Sequence, residues 1–139
     1  MSDPELAARP LPALAFVAPS GTGKTTLLES VIRILVEQGR DVAVLKASHH
    51  NHELDVEGKD SWRFGRAGAS FVGLCGPDRS TFFVDTGRDS WPAIAECARW
   101  FEASPLFDFD ILLCEGFSTD TSVPKIRVVR GDWPSELAH

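Results

Sequence analysis

The stretch Pro19-Ser20-Gly21-Thr22-Gly23-Lys24-Thr25-Thr26 constrains this chain more than any other. Before it, Leu14-Ala15-Phe16-Val17 is a short apolar run of strand type; after it, Leu27 to Val36 carries apolar residues at helical spacing. A polar, glycine-containing segment joining a buried strand to a helix is the setting a phosphate-binding loop requires. Small residues let successive backbone N–H groups turn into one concavity, and the helix N-terminus adds partial positive charge, so anionic oxygens can satisfy those donors. Ser20, Gly21, Thr22, Gly23, Lys24, Thr25 and Thr26 are therefore the candidate anion-binding residues. Lys24 would reach the terminal phosphates, and the Thr25 hydroxyl would hold Mg²⁺. Ala18 stands where the pattern G-x-x-x-x-G-K-[ST] has its first glycine. Gly21 and Gly23 remain where backbone must approach phosphate most closely.

A chain of 139 residues with 43% apolar content is expected to form one domain, over 12–139, behind a loose acidic and proline-containing tail over 1–11. The net charge of −6 argues against a general nucleic-acid binder, so phosphate recognition must be local and geometric. Cys75, Cys97 and Cys114 are widely spaced in apolar surroundings and read as buried thiols of a reducing compartment. No apolar run approaches the roughly 20 residues that cross a bilayer. The first residues lack the basic start and apolar stretch of a secretion signal, which points to the cytoplasm and away from a membrane.

Along the chain, the helix from Lys24 is expected to run to about Gln38 and close at Gly39. Asp41 to Lys46 reads as a second strand, apolar enough to be buried on both faces, completing a parallel crossover unit. Ser48 to Glu57 is a polar loop, and Lys59 to Ala69 a helix capped by Asp60 or Ser61. Phe71 to Cys75 and Thr81 to Val84, joined by Gly76-Pro77-Asp78-Arg79, read as a hairpin. Added as an antiparallel edge, the hairpin would be a place for two copies to join sheets, giving a homodimer. Asp89 to Glu102 is helical, with Trp91, Ile94, Ala95, Ala98 and Phe101 largely on one face; Phe109 to Cys114 and Ile126 to Val129 are further strands. The fold class expected is α/β, a P-loop NTPase-like and mostly parallel sheet flanked by helices, with an added antiparallel hairpin.

In parallel α/β sheets ligands sit beyond the carboxyl ends of the strands. Three segments qualify: the loop itself, Lys46 to Asp55, and Glu115-Gly116-Phe117. Asp110 and Glu115 compete to support Mg²⁺, and five residues of strand place them roughly 16 Å apart, with Asp110 at the remote amino end. Glu115 is therefore the candidate. His49-His50-Asn51-His52-Glu53-Leu54-Asp55 brings imidazoles and carboxylates together; such a tract either binds a transition metal or is a solvated loop. Asp55 has the stronger claim, as a loop acid that orients water beside a terminal phosphate. Lys59 and Arg63 are candidates to neutralise phosphate charge, with His49 and His50 as phosphate or partner contacts; solvated side chains are the default.

Taken together, these stretches resemble the molybdopterin-guanine dinucleotide biosynthesis protein B (MobB) family of P-loop GTP-binding proteins. The likeness is carried by Ser20 to Leu28, by His49-His50 with Asp55, by Gly58-Lys59-Asp60-Ser61 leading to Ala67-Gly68-Ala69, and by Glu115-Gly116-Phe117 followed by Pro124-Lys125-Ile126. It spans Leu14 to Arg130, and the Gly-Lys-Asp-Ser and Glu-Gly-Phe stretches make it specific. The resemblance implies a GTP-binding, weakly GTP-hydrolysing and usually dimeric accessory protein. It would act with the guanylyltransferase that attaches GMP to molybdopterin, and contact molybdopterin or a molybdoenzyme. Ala47 departs from the family, which often has a further histidine there, and relative to the family the chain is short at its C-terminus, ending at His139. GTP against ATP is left open, as are two other classes that share the loop: a nickel-type metal-delivery GTPase using the histidine tract, and a small-molecule kinase.

Overall fold

The structure, a computed structural model, describes residues 10–19, 21–48, 57–87 and 91–131. Along the chain come β1 (Ala13–Val17), α1 (Lys24–Glu37), β2 (Val42–Lys46), α2 (Asp60–Arg66), β3 (Phe71–Cys75), β4 (Ser80–Val84), α3 (Ile94–Ala103), β5 (Ile111–Glu115) and β6 (Lys125–Arg127). Residues of 1–47 and 92–139 form one compact unit, and those of 48–91 a second.

The first unit is a parallel sheet in the order β2-β5-β1-β6. Side chains on a strand point alternately to opposite faces, and here the alternation is read by two helices. Ala15, Leu112 and Cys114 turn to the face where Ile94 and Ala98 of α3 pack. Phe16 and Leu113 turn to the other, against Leu28 of α1. Ile94, Leu112, Leu113 and Cys114 are fully buried, and removing each large aliphatic side chain from water contributes about 1.5–3 kcal/mol. The expected crossover strands β1 and β2 are parallel but not adjacent, because β5 lies between them. Among the described residues that makes β2 an edge strand. Val44 is exposed, so β2 is not buried on both faces as its composition suggested.

Helix α1 closes as expected: the Gly39 N–H donates to Val36 O and the Arg40 N–H to Leu35 O, both at 2.9 Å, which satisfies carbonyls of the last turn. Helix α3 begins later than its apolar pattern indicated. Asp89 and Ser90 lie outside the described residues, and Trp91 precedes the helix, its Nε1 donating to Ser48 O at 3.0 Å. The first amides of α3 are held by a distant loop. The Ile94 N–H donates to Asp120 Oδ2 at 2.7 Å and the Ala95 N–H to Ser122 Oγ at 3.2 Å, while Glu96 Oε2 accepts from the Ala93 N–H at 2.9 Å.

The second unit contains α2 and a two-stranded antiparallel sheet of β3 and β4. The hairpin expected from the sequence is present, but among the described residues it forms its own sheet rather than an edge of the parallel one. Lys59, not Asp60 or Ser61, is the residue before the first helical turn of α2. No described helix is long and apolar enough to cross a membrane. The cysteines are free thiols, but only Cys114 is buried, and Cys75 is exposed on β3. Burial, then the neighbouring Cys97 and the Asp120 charge, push the Cys114 thiol up to about 12, so it stays protonated and inert.

Asp120 gives the fold a measurable pH signature. Burial pushes its carboxyl upward, but the Ser122 hydroxyl, the Ile94 and Ser122 N–H groups and the Lys125 charge outweigh that and hold it below its ordinary value. A depressed carboxylate contributes stability that is complete above its unfolded pKa, about 3.9, and lost as pH falls through the lower folded value. Asp120→Asn should therefore cost about 0.5–1 kcal/mol at pH 7, the usual worth of an anion at a helix N-terminus. In urea melts this deficit should shrink as the pH is taken below 4; a deficit independent of pH would contradict the assignment.

Candidate functional site

The carboxyl ends of β1 and β5 meet the first turn of α1, and three local features shape the meeting. Gly21 and Gly23 have φ of 78° and 84°, left-handed values that a side chain at either position would strain, and Gly23 is the residue from which α1 starts. Lys24 begins the helix, and its Nζ reaches back to Ala18 O at 3.4 Å, spanning the loop. Thr22 Oγ1 donates to Pro19 O at 2.8 Å, which braces the turn from within. No side chain caps the first turn of α1 and no acidic residue lies in it. Its amides and dipole thus face the loop without a protein anion on the helix itself.

Glu115 arrives by strand parity. Leu113 faces α1, so Glu115, two residues on, faces it too, and the register sets Glu115 beside Phe16 at the carboxyl end of β1. There the Thr25 Oγ1 donates to Glu115 Oε1 at 3.1 Å. Asp110 sits at the opposite end of the strand, where its Oδ2 accepts from the Asp41 N–H at 2.7 Å and ties the amino ends of β2 and β5 together. Beyond Glu115 the chain turns sharply, with Gly116 at φ 90° and Phe117 at φ 56°. This reversal sends the Phe117 ring to the α3 face, where it is buried, rather than to the α1 face that continued alternation would give. Burial of the ring offsets the strain of a left-handed non-glycine residue.

Of the residues singled out from the sequence, Gly21, Thr22, Gly23, Lys24, Thr25, Thr26 and Glu115 come together at this one place. Ser20, His49, His50 and Asp55 lie outside the described residues. Lys59 and Arg63 are exposed on the second unit, at and within α2, and on the same helix the Arg66 guanidinium stands 5.7 Å from the centre of the Trp62 ring. Two residues near the site escaped sequence reading. Arg130 Nη1 lies 3.5 Å from Gly21 O, and Asp120 anchors the segment that follows Phe117 to α3. Neither has a local signal: their partners are 109 and 26 residues away.

A parallel sheet whose first strand runs through a Gly-Lys-Thr-Thr turn into a helix, with an acid at the end of the neighbouring strand, is a domain of the P-loop NTPase type. The family model for Molybdopterin guanine dinucleotide synthesis protein B, MobB, matches residues 13–139. The chain belongs to the MobB family. It is 37% identical over 127 residues to the molybdopterin-guanine dinucleotide biosynthesis adapter protein of Haemophilus influenzae, covering 91% of this chain and 68% of that one. It is 35% identical over 130 residues to the adapter protein of that name from Escherichia coli, covering 91% of this chain and 72% of the relative. The crystal structure of Bacillus subtilis MobB superposes with a TM-score of 0.65 at 26% identity, over 86% of this chain and 68% of that one.

The turn after β5 carries a test of this geometry. A Cβ built on Gly116 would lie 3.1 Å from the Ala47 Cβ, at a φ that L side chains avoid. Gly116→Ala should therefore cost about 1–3 kcal/mol in chemical denaturation. An unchanged midpoint would show that the turn beside Glu115 tolerates a side chain.

Proposed function

We propose that this chain binds GTP with Mg²⁺ at the loop between β1 and α1, hydrolyses it slowly, and serves as an adapter in the synthesis of molybdopterin guanine dinucleotide. The observation that carries the reading is the meeting of Thr25 and Glu115 at 3.1 Å beside the Lys24 turn. Two hard oxygen donors at that separation suit Mg²⁺, whose octahedron at 2.0–2.1 Å sets neighbouring ligand oxygens about 2.9 Å apart. Thr25 and Glu115 would hold the ion, which supplies charge neutralisation on the terminal phosphates. The amides from Ser20 to Thr26 and the Lys24 ammonium enclose and orient those phosphates. Asp55 orients the attacking water, and His49, His50, Lys59 and Arg63 serve as phosphate or partner contacts. Such an arrangement positions the phosphates and offsets their charge, a set of contributions that makes for slow turnover.

The adapter role rests on the names of the relatives from H. influenzae and E. coli, which match over most of this chain. Its partner on this reading is the guanylyltransferase that joins GMP to molybdopterin, with the pterin or a receiving molybdoenzyme close by, in the cytoplasm. The metal-delivery alternative rests on the tract from His49 to Asp55, which lies outside the described residues. The second unit supplies the dimer contact. Phe71, Leu74 and Val84 are exposed on a two-stranded sheet, which is marginal without further pairing.

Calorimetric titration with GTP and ATP, with and without Mg²⁺ and the guanylyltransferase, tests the reading. Lys24→Ala should abolish nucleotide binding, and Glu115→Gln should remove the Mg²⁺-dependent part of the affinity while leaving the fold intact. Micromolar GTP affinity retained by Lys24→Ala would overturn it. For the dimer, Leu74→Glu should shift sedimentation from two copies to one; a wild-type chain that sediments as a monomer at all concentrations would remove that part alone.

A further inference from the structure

One flank of the loop carries a cation that the mechanism above does not use. Strand β6 runs parallel to β1 with Arg127 beside Val17, and the Val128 N–H donates to Val17 O at 2.9 Å. The chain leaving β6 therefore travels alongside the chain leaving β1 into the loop. Val128 packs against the cluster under α1, which holds this track in place. Two residues further on, Arg130 sets its guanidinium against the loop, with Nη1 3.5 Å from Gly21 O.

That contact is a poor resting place for a guanidinium. At 3.5 Å to a neutral carbonyl it stands at the outer limit of a hydrogen bond and contributes little. Among the described residues no carboxylate pairs with Arg130, in a chain whose acidic residues outnumber its basic ones by 20 to 14. The side chain is exposed and turned to the loop before α1, a helix whose first turn has no side-chain cap and no acidic residue. The two flanks of the loop also differ in charge. On the β5 side stands the Glu115 carboxylate, which can share a metal with phosphate but repels bare phosphate oxygen; on the β6 side stands Arg130.

We propose that Arg130 binds the phosphate oxygens of the nucleotide on the β6 flank, those the metal does not hold, an assignment that rests on the nucleotide-binding reading above. Exchange of a long contact to a carbonyl for a charge-assisted one to phosphate shortens the bond and roughly doubles its strength, and the planar fork can take two oxygens at once. Lysine offers the charge without the fork. Because the contact needs no metal, it separates Arg130 from Thr25 and Glu115, whose contribution passes through Mg²⁺.

The experiment is calorimetric titration of GTP and ATP into wild type, Arg130→Ala and Arg130→Lys, in Mg²⁺ and again in EDTA, with a thermal melt of each protein without nucleotide. Loss of a hydrogen bond to a charged group corresponds to a fall in affinity of about tenfold to hundredfold. Arg130→Ala should show that fall in both media, by the same factor for both nucleotides, and melt with wild type; Arg130→Lys should recover part of it. Equal GTP affinity of wild type and Arg130→Ala in EDTA overturns the assignment and leaves the nucleotide reading standing. A loss confined to one base, or matched by a lowered melting midpoint, also overturns it, pointing to base recognition or to bracing of the loop. A wild-type chain that binds neither nucleotide removes both readings together.

Discussion

The hydrogen bond from Thr25 to Glu115 joins the two halves of the first unit at the candidate site, and most of the fold can be understood as what makes it possible. Thr25 is in place because two left-handed glycines turn β1 directly into α1. Glu115 is in place because β5 pairs with β1 in parallel register and presents alternate residues to the α1 face. A slip of one residue in that register would send Glu115 to the α3 face and Cys114 to the loop. The buried side chains Leu112, Leu113 and Cys114 prevent the slip, since each fits only one of the two faces.

The two ends of the sheet are held by different devices. At the amino end, Asp110 and Asp41 exchange hydrogen bonds between β5 and β2, so an acidic residue that could compete for a metal is engaged in holding strands together. At the carboxyl end, Gly116 and Phe117 reverse the chain, and Asp120 then fastens the segment to the first amides of α3. From there the chain returns to β6 beside β1, where Ala15 donates to Pro124 O. One stretch of chain thus connects Glu115, on one flank of the turn before α1, to Arg130 on the other. Asp120 and Ser122 tie this stretch to the start of α3.

How much was legible beforehand depended on the range of the interaction. The turn between β1 and α1 was readable because its physics is local: glycines for left-handed backbone, lysine and threonines at the helix start, an apolar strand before and an amphipathic helix after. That Glu115 lies at the end of β5 beside this turn and Asp110 at the opposite end was readable from strand length alone. The start of α3 was misjudged because the apolar pattern takes in Trp91, whereas the helix starts at Ile94 with its first amides held by Asp120 and Ser122. The burial of β2 was misjudged because apolar composition cannot tell a central strand from an edge one, and the insertion of β5 between β1 and β2 moved β2 outward.

By itself, the sequence determined the strand, turn and helix of the candidate site, the acid at the end of β5, and an antiparallel pair outside the parallel order, because each depends on residues close together along the chain. Tertiary structure alone decided that Thr25 meets Glu115 at hydrogen-bonding distance, that the hairpin keeps a sheet of its own, and that Arg130 returns to Gly21. Those outcomes depend on strand order and register, which arise from fitting side chains onto two faces of a sheet, and no single stretch of the chain carries that information.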